Sequence, residues 1–122
     1  MERFFVTATI HGGTVTRADL NYKGSITLDP AIVEAAGLLP FELVHINNFR
    51  NGVHWETYVI KGAPGEIVLN GPPANHFRAG DMVVINRVAS VREDELATLT
   101  NTVVYLDREN RISSVETRNV IS

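Results

Sequence analysis

The sequence predicts a mainly β protein with one folded domain. Short runs rich in Val, Ile, Phe and Thr recur between turn residues, and 122 residues are too few to supply two separate hydrophobic cores. One segment has a clear helical pattern, so we expect one or two short helices. The predicted strands span residues 4–11, 41–49, 53–61, 66–70, 82–91, 102–107 and 112–117.

The clearest predicted helix follows Asp29, a residue type that caps helices. Pro30 suits the first helical position, and Gly37 can end the helix in a left-handed conformation. Between them, apolar side chains recur at helical spacing at Ile32, Val33 and Ala36. A second, shorter helix is predicted over residues 92–96.

Composition and charge exclude several classes of function. The 11 Lys and Arg residues are scattered, and the net charge is -3, so we expect no nucleic-acid partner. No apolar run approaches the roughly 20 residues that cross a bilayer, and the N-terminus lacks a signal segment, which predicts a cytoplasmic protein without a membrane partner. The lack of cysteine excludes disulfides, thiolate metal sites and a thiol nucleophile.

Asn51-Gly52 is the strongest hairpin signal, because a two-residue type I′ turn needs positive φ at both central positions. Such a turn would pair His45 with Tyr58. Alternation along the two strands then places on a core face Val44, Ile46, Trp55, Thr57 and Val59. The opposite face collects His45, Asn47, His54, Glu56 and Tyr58.

This second face is rich in groups that can transfer protons, and two interpretations are open. It is either an ordinary solvated face of an antiparallel sheet or part of a catalytic site. Metal binding is not expected, because the histidines show no ligand spacing such as i, i+4 with a carboxylate; they are His11, His45, His54 and His76. The sequence therefore predicts no metal.

Residues 11–28, HGGTVTRADLNYKGSITL, carry a Gly-Ser bond within a distinctive segment. Further residues that bear chemistry follow in a set order along the chain: Tyr22, Gly24-Ser25, Thr57-Tyr58 and Asn70-Gly71. In this combination the sequence closely resembles the pyruvoyl-dependent aspartate 1-decarboxylase family over most of its length. Residues 79–85, AGDMVVI, are similar to the Gly-Asp and apolar strand of that family's double-psi β-barrel. The resemblance implies this barrel as the fold.

The resemblance implies that the chain cleaves itself between Gly24 and Ser25, giving a 1–24 chain and a 25–122 chain. The Ser25 hydroxyl would attack the preceding carbonyl carbon and form an ester. A base would then remove the serine α-proton, and elimination would leave dehydroalanine, which hydrolyses to a pyruvoyl group and ammonia. By resemblance, Thr57 supports the first step. The covalent cofactor would therefore be made from Ser25.

The pyruvoyl ketone would take up an amino-acid substrate through its amine and accept the electrons that departing carbon dioxide leaves. By resemblance, Tyr58 is the catalytic proton donor. The expected substrate contacts after this hairpin are Asn70, Gly71 and Pro72. His11, Tyr22 and Glu56 are expected second contacts, and for His11 and Tyr22 packing or surface exposure is the alternative interpretation.

The substrate pocket departs from the family at several positions. Family members that accept aspartate carry a Lys on the first strand and an Arg on the hairpin, which suit two carboxylates. This chain has Thr9 and His54 there, Asn47 replaces a tryptophan, and Glu56 adds negative charge. We therefore expect either aspartate, giving β-alanine and carbon dioxide, or a related amino acid as the substrate.

The resemblance further implies a homotetramer with sites between subunits and a role in pantothenate biosynthesis, and it leaves the need for a maturation factor open. Three functions are considered: an active decarboxylase, a self-processing relative with little activity, and an unprocessed barrel that serves as a binding or assembly module. Self-cleavage separates the third from the first two. Carbon dioxide release separates the first from the second.

Overall fold

The computed structural model describes residues 1–121 and confirms the prediction of a mainly β protein. Its strands are β1 (Glu2–Thr14), β2 (Arg17–Asp19), β3 (Ser25–Leu28), β4 (Leu43–Asn48), β5 (His54–Lys61), β6 (Ile67–Asn70), β7 (Met82–Arg92), β8 (Thr100–Leu106) and β9 (Ile112–Asn119). The helices are α1 (Pro30–Ala36) and two 3₁₀ helices, Pro72–Asn75 and Glu93–Thr98. No helix in this described part of the chain is long and apolar enough to cross a membrane.

All nine strands belong to one sheet, in the order β2-β6-β3-β5-β4-β7-β1-β8-β9. The sheet mixes parallel neighbours, such as β3 with β5, and antiparallel ones, such as β3 with β6. This architecture is consistent with a double-psi β-barrel. Every predicted strand is present with slightly different ends. The sequence does not predict β2 and β3, because three or four residues are too few to show an alternating pattern.

Helix α1 forms as predicted. The Asp29 carboxylate accepts a hydrogen bond from the Ala31 N–H at 2.7 Å, Pro30 lies in the first turn, and Gly37 ends the helix at a φ of 70°. The buried side of the helix consists of Ile32, Val33 and Ala36. The second predicted helix is present as the 3₁₀ helix Glu93–Thr98.

The register of the β4–β5 hairpin differs from the predicted one. His45 pairs with Glu56, whereas a two-residue turn would have placed it opposite Tyr58. The prediction of that register is therefore wrong, by two residues. Because side chains alternate with a period of two, this error leaves each residue on its predicted face. The predicted core face, with Val44 and Val59 both 0% exposed, is confirmed.

The reason for the register lies in the loop, which spans residues 49–53 rather than two residues. Gly52 has a φ of 71°, but Asn51 is not in the left-handed region that a type I′ turn requires. The Asn51 side chain instead accepts from the Val53 N–H at 3.0 Å and donates to the His76 carbonyl at 2.8 Å. These side-chain bonds stabilise a wider loop.

Asp81 fixes this loop to the start of β7. Nε and Nη2 of Arg50 donate to its two carboxylate oxygens at 2.7 and 3.0 Å, and the Asn48 amide donates to it at 2.8 Å. The backbone N–H of Arg78 donates at 3.0 Å. Against the opposing effect of burial, the hydrogen bond from Arg50 contributes most to lowering the pKa of Asp81 to about 2.

The core-facing sides of the strands pack with α1 into one hydrophobic cluster. Its largest members are each at most 1% exposed: Ile10, Ile26, Leu28, Ile32, Ile46, Ile67, Leu69, Phe77 and Ile85. Burying one such side chain stabilises a fold by roughly 1.5–3 kcal/mol relative to exposing it. This packing holds β3, β5 and β6 side by side, and those strands carry the residues described next.

Candidate active site

Ser25 is the first residue of the buried strand β3 and is 1% exposed. The antiparallel register of β3 with β6 sets it directly opposite Asn70. The Asn70 amide Nδ2 donates to Ser25 Oγ at 3.0 Å and to Thr27 Oγ1 at 2.9 Å. The predicted nucleophile is therefore held in place by a side chain that the resemblance also assigns to the site.

Gly24 and Gly71 make a close backbone contact at the predicted cleavage point. Gly71 has a φ of 80° and a ψ of -144°, close to a region that only glycine occupies readily. A Cβ at this position would lie 2.9 Å from both N and Cα of Gly24 and 3.0 Å from the carbonyl oxygen of Tyr22. The next residue, Pro72, opens a 3₁₀ helix, and its Cδ would lie 3.9 Å from a Cβ at Gly24. Gly71 therefore packs closely against the backbone of Gly24, whereas residues 21–23 before it are exposed.

Thr57 and Tyr58 lie on β5, which runs parallel to β3. The first backbone pair between the two strands joins Ile26, the residue after Ser25, to Val59, the residue after Tyr58. Continued back by one and two residues, this register would set Ser25 level with Tyr58 and Gly24 level with Thr57. Thr57 is 7% exposed, and Tyr58 is half-buried with its ring centroid 5.7 Å from that of Phe41. The two hairpin residues that the resemblance assigns to processing and protonation are thus in register with the Gly-Ser bond.

A pocket of about 230 Å³ lies beside the Ser25-Asn70 pair. The predicted contacts Tyr22 and Asn70 line it. The other lining residues are not among the predicted contacts; they are Arg17, Asp19, Thr27, Ile60 and Lys61. Ile60 could have been found by alternation from Tyr58 along β5, since both share a face. Thr27 could not, because β3 is too short to be predicted.

The remaining predicted contacts lie on the polar face of the strands around the hairpin. Cross-strand pairing sets up one row across β1, β7, β4 and β5, consisting of Thr9, Asn86, His45 and Glu56. The next row consists of His11, Val84, Asn47 and His54. Thr9 Oγ1 donates to Asn86 Oδ1 at 2.8 Å. His11, at the β1 end of its row, lines a separate groove of about 700 Å³.

Three side-chain atoms converge on this face. His54 Nε2 lies 3.4 Å from His45 Nδ1 and 3.4 Å from Glu56 Oε2, and His45 Nδ1 lies 3.8 Å from the same oxygen. His54 Nδ1 lies 2.9 Å from Asn47 Oδ1. His54, predicted to contact substrate, is therefore engaged by Glu56 and is a cation only when protonated.

The two groups of residues are connected through β5. Tyr58, in register with Ser25, lies two residues from Glu56 on the same strand face, so their Cα atoms are about 7 Å apart. Within residues 1–121, no hydrogen bond or ion pair joins Ser25 to Thr9 or His54. One chain thus assembles the predicted processing residues and places the predicted carboxylate contacts further along the same face.

Sequence comparison with known proteins identifies the family of this chain. A family model described as aspartate decarboxylase matches residues 1–113. The chain belongs to the aspartate decarboxylase family. The aspartate 1-decarboxylase of Persephonella marina is 46% identical to it over 114 residues, which are 92% of this chain and 81% of that protein. Those of Hydrogenobaculum sp. and Exiguobacterium sibiricum are 45% and 43% identical and cover 95% and 98% of this chain, and 93% and 96% of their own lengths.

Membership of the aspartate decarboxylase family confirms the resemblance on which the sequence analysis depends. It also confirms the prediction of an enzyme of the carboxy-lyase class. The matched residues 1–113 include every predicted site residue, from Thr9 to Pro72.

Proposed function

We propose that this chain is a self-processing precursor of a pyruvoyl-dependent decarboxylase that acts on aspartate or a related amino acid. The observation that carries the proposal is the surroundings of the Gly24-Ser25 bond. Ser25 Oγ accepts a hydrogen bond from Asn70 at 3.0 Å, and Gly71 packs closely against the backbone of Gly24 just before it. The names of its relatives, aspartate 1-decarboxylases, support the same reaction class.

In the proposed maturation, Ser25 Oγ attacks the Gly24 carbonyl carbon, and the acyl group moves from nitrogen to oxygen. The oxyanion that develops needs a donor, and we assign this role to the Thr57 hydroxyl; continuing the β3–β5 register two residues before its first pair, Ile26 with Val59, would bring Thr57 level with Gly24, which supports the assignment. Removal of the Ser25 α-proton then expels the Gly24 carboxylate, which becomes the end of the 1–24 chain. Hydrolysis of the remaining dehydroalanine releases ammonia and leaves the pyruvoyl group at residue 25.

The site suits this group because residue 25 is buried and accepts a hydrogen bond from Asn70, which also lines a small pocket. The pyruvoyl group would supply an electrophilic carbonyl that binds the substrate amine and accepts electrons when carbon dioxide leaves. Asn70 would donate hydrogen bonds that orient the reacting groups, as it does to Ser25 and Thr27 here. Tyr58, aligned with residue 25, would deliver the proton to the product carbon.

We propose that the side chain of the substrate amino acid is bound more weakly in this pocket than it would be by two permanently charged cationic residues. Thr9 has a neutral hydroxyl, which donates to Asn86, and His54, beside Glu56, is a cation only when protonated, so neither side chain carries a permanent positive charge. Arg17 and Lys61 bring cations to the rim of the 230 Å³ pocket beside Asn70. We also propose, by family resemblance, a cytoplasmic homotetramer with sites between subunits.

The test of maturation is the intact mass of the purified full chain under denaturing conditions. We expect two fragments, residues 1–24 and 25–122, with the larger one blocked at its N-terminus and reactive towards hydrazines. Ser25→Ala should leave one uncleaved chain. Thr57→Val should slow cleavage because it removes the hydroxyl but keeps the volume, whereas Thr102→Val, the same change on the distant strand β8, should not. A wild-type chain that stays intact after prolonged warming would refute the proposal.

The test of the reaction is carbon dioxide release by the processed chain with each common amino acid. Aspartate or a close relative should be turned over. A fully cleaved protein that releases no carbon dioxide from any of them would instead be a self-processing relative without decarboxylase activity.

A further inference from the structure

We propose that His45, His54 and Glu56 form a binding site for a divalent transition-metal ion of the Zn²⁺ type on the polar face of the β4–β5 hairpin. This goes beyond the proposed decarboxylation and does not depend on it. It departs from the sequence analysis, which predicts no metal because spacing along the chain gives no sign of one. The pairing of two strands brings the three ligands together.

The first argument is the spacing of the candidate ligand atoms. Four ligands placed tetrahedrally about 2.0–2.1 Å from a zinc ion are separated from each other by about 3.4 Å. His54 Nε2 lies 3.4 Å from both His45 Nδ1 and Glu56 Oε2. The third edge, from His45 Nδ1 to Glu56 Oε2, is 3.8 Å. The three atoms therefore already form a face of a slightly widened tetrahedron.

The second argument is the orientation of the His54 ring. Its Nδ1 lies 2.9 Å from Asn47 Oδ1, the side-chain atom that can only accept a hydrogen bond. This contact places the proton on Nδ1 and directs the Nε2 lone pair toward His45 and Glu56. Metal-binding histidines typically donate their second ring N–H to such a carbonyl or carboxylate, which fixes the ring and raises ligand basicity. Asn47 would therefore be a positioning residue.

The third argument is charge. With the proton on Nδ1, His54 Nε2 is an acceptor that faces the Glu56 carboxylate, also an acceptor, at 3.4 Å. Without a metal ion, the Nδ1–H of neutral His45 is the side-chain donor nearest to these two acceptors, at 3.4 Å from His54 Nε2 and 3.8 Å from Glu56 Oε2, and both distances are long for a hydrogen bond. A cation bound by all three atoms would attract the Glu56 carboxylate and use the lone pairs of both rings.

The ligand set also indicates the class of metal. Two imidazoles with one carboxylate suit Zn²⁺, Co²⁺ or Ni²⁺, whereas Mg²⁺ and Ca²⁺ prefer oxygen ligands alone. Three protein ligands leave a fourth position open. His54 and Glu56 are about half exposed, so that position faces solvent. The ligand Glu56 lies about 7 Å along β5 from Tyr58, so the ion would lie near the proposed active site.

The test is titration of the purified full chain, without a polyhistidine tag, with ZnCl₂ in a calorimeter. We expect saturable binding of one ion per chain with a Kd of about 1 μM or lower. Adding Co²⁺ should give the intense visible absorption of a four-coordinate ion. The same result is expected for Ser25→Ala, which cannot mature, so the outcome is independent of whether the proposed function is correct.

Variants at exposed ligands should change binding while the protein stays folded. His54→Ala and Glu56→Gln should each weaken Zn²⁺ binding by at least about 100-fold, and Asn47→Leu by about 10–100-fold. His76→Ala, which removes an exposed histidine outside the cluster, is the matched control and should bind like the wild type. Failure of the wild type to saturate by about 100 μM Zn²⁺ would overturn the proposal. So would unchanged binding in His54→Ala, or an equal loss in His76→Ala.

Discussion

Gly71→Ala should impair self-cleavage by disturbing the backbone just before Ser25. The added Cβ would lie 2.9 Å from N and Cα of Gly24, where ordinary contacts begin at 3.4 Å, so the two segments must separate by about 0.5 Å. These neighbours are backbone atoms and cannot rotate away. Misplacing reacting groups by 1 Å can cost about 10²-fold in rate, so a shift of half that size should slow cleavage on the order of 10-fold or more.

The matched control is Gly52→Ala. Gly52 also has a positive φ, 71°, but no atom lies within 4 Å of the position that a Cβ would take there. In both variants the new side chain must adopt a positive φ. At Gly71, where ψ is -144°, the backbone lies close to a region that only glycine occupies readily, which costs about 1–3 kcal/mol, and overpacking against Gly24 should cost about 1–3 kcal/mol more. Gly52→Ala therefore controls for a positive φ without a close neighbour, and a cleavage defect confined to Gly71→Ala reports on the Gly71 backbone and its contact with Gly24.

Both rates can be followed by intact mass spectrometry after precursor is purified in the cold and warmed, and stability can be measured on uncleaved Ser25→Ala backgrounds by urea unfolding. We expect slow cleavage in Gly71→Ala and nearly normal cleavage in Gly52→Ala. If a folded Gly71→Ala chain cleaves as fast as the wild type, the close backbone contact between Gly71 and Gly24 does not promote the reaction.

Three further outcomes are expected. Tyr58→Phe should mature normally but lose about 10²–10⁴-fold in turnover, measured as carbon dioxide release, because it removes the proposed proton donor; unchanged turnover would rule out that role. Thr9→Lys combined with His54→Arg should raise kcat/KM for aspartate by at least about 10-fold, since one charge-assisted hydrogen bond contributes roughly 1.5–3 kcal/mol; a fully matured double variant without this gain would show that charge does not limit binding. Asp81→Asn should lower the free energy of unfolding at neutral pH by about 2 kcal/mol, because Arg50 holds the pKa of this buried carboxyl at about 2 instead of 3.8. Since the folded-state pKa is the lower one, the contribution is present above about pH 4 and lost as the pH falls towards 2, and equal acid sensitivity of Asp81→Asn and wild type in urea unfolding would contradict it.

Much of the fold follows from local chemistry. The ends of α1 are determined by Asp29, Pro30 and Gly37, because helix caps act over a few residues. The long strands can be predicted because apolar and polar side chains alternate along them. The hairpin register could not be predicted, because Asn51 makes side-chain hydrogen bonds to Val53 and His76, and His76 lies 25 residues away. A turn whose shape depends on a distant carbonyl is not encoded by its own two residues.

The sequence by itself determined the family, the Gly24-Ser25 bond and the residue types expected around it, because these occur in a specific order along the chain. It could not show that Asn70 holds Ser25, since β3 has only four residues and its pairing with β6 spans 45 positions. Nor could it show that His45 meets His54 and Glu56, because the ligand spacing exists only across two paired strands. Covalent order fixes which groups are present, and sheet register decides which of their atoms come within reach of one another.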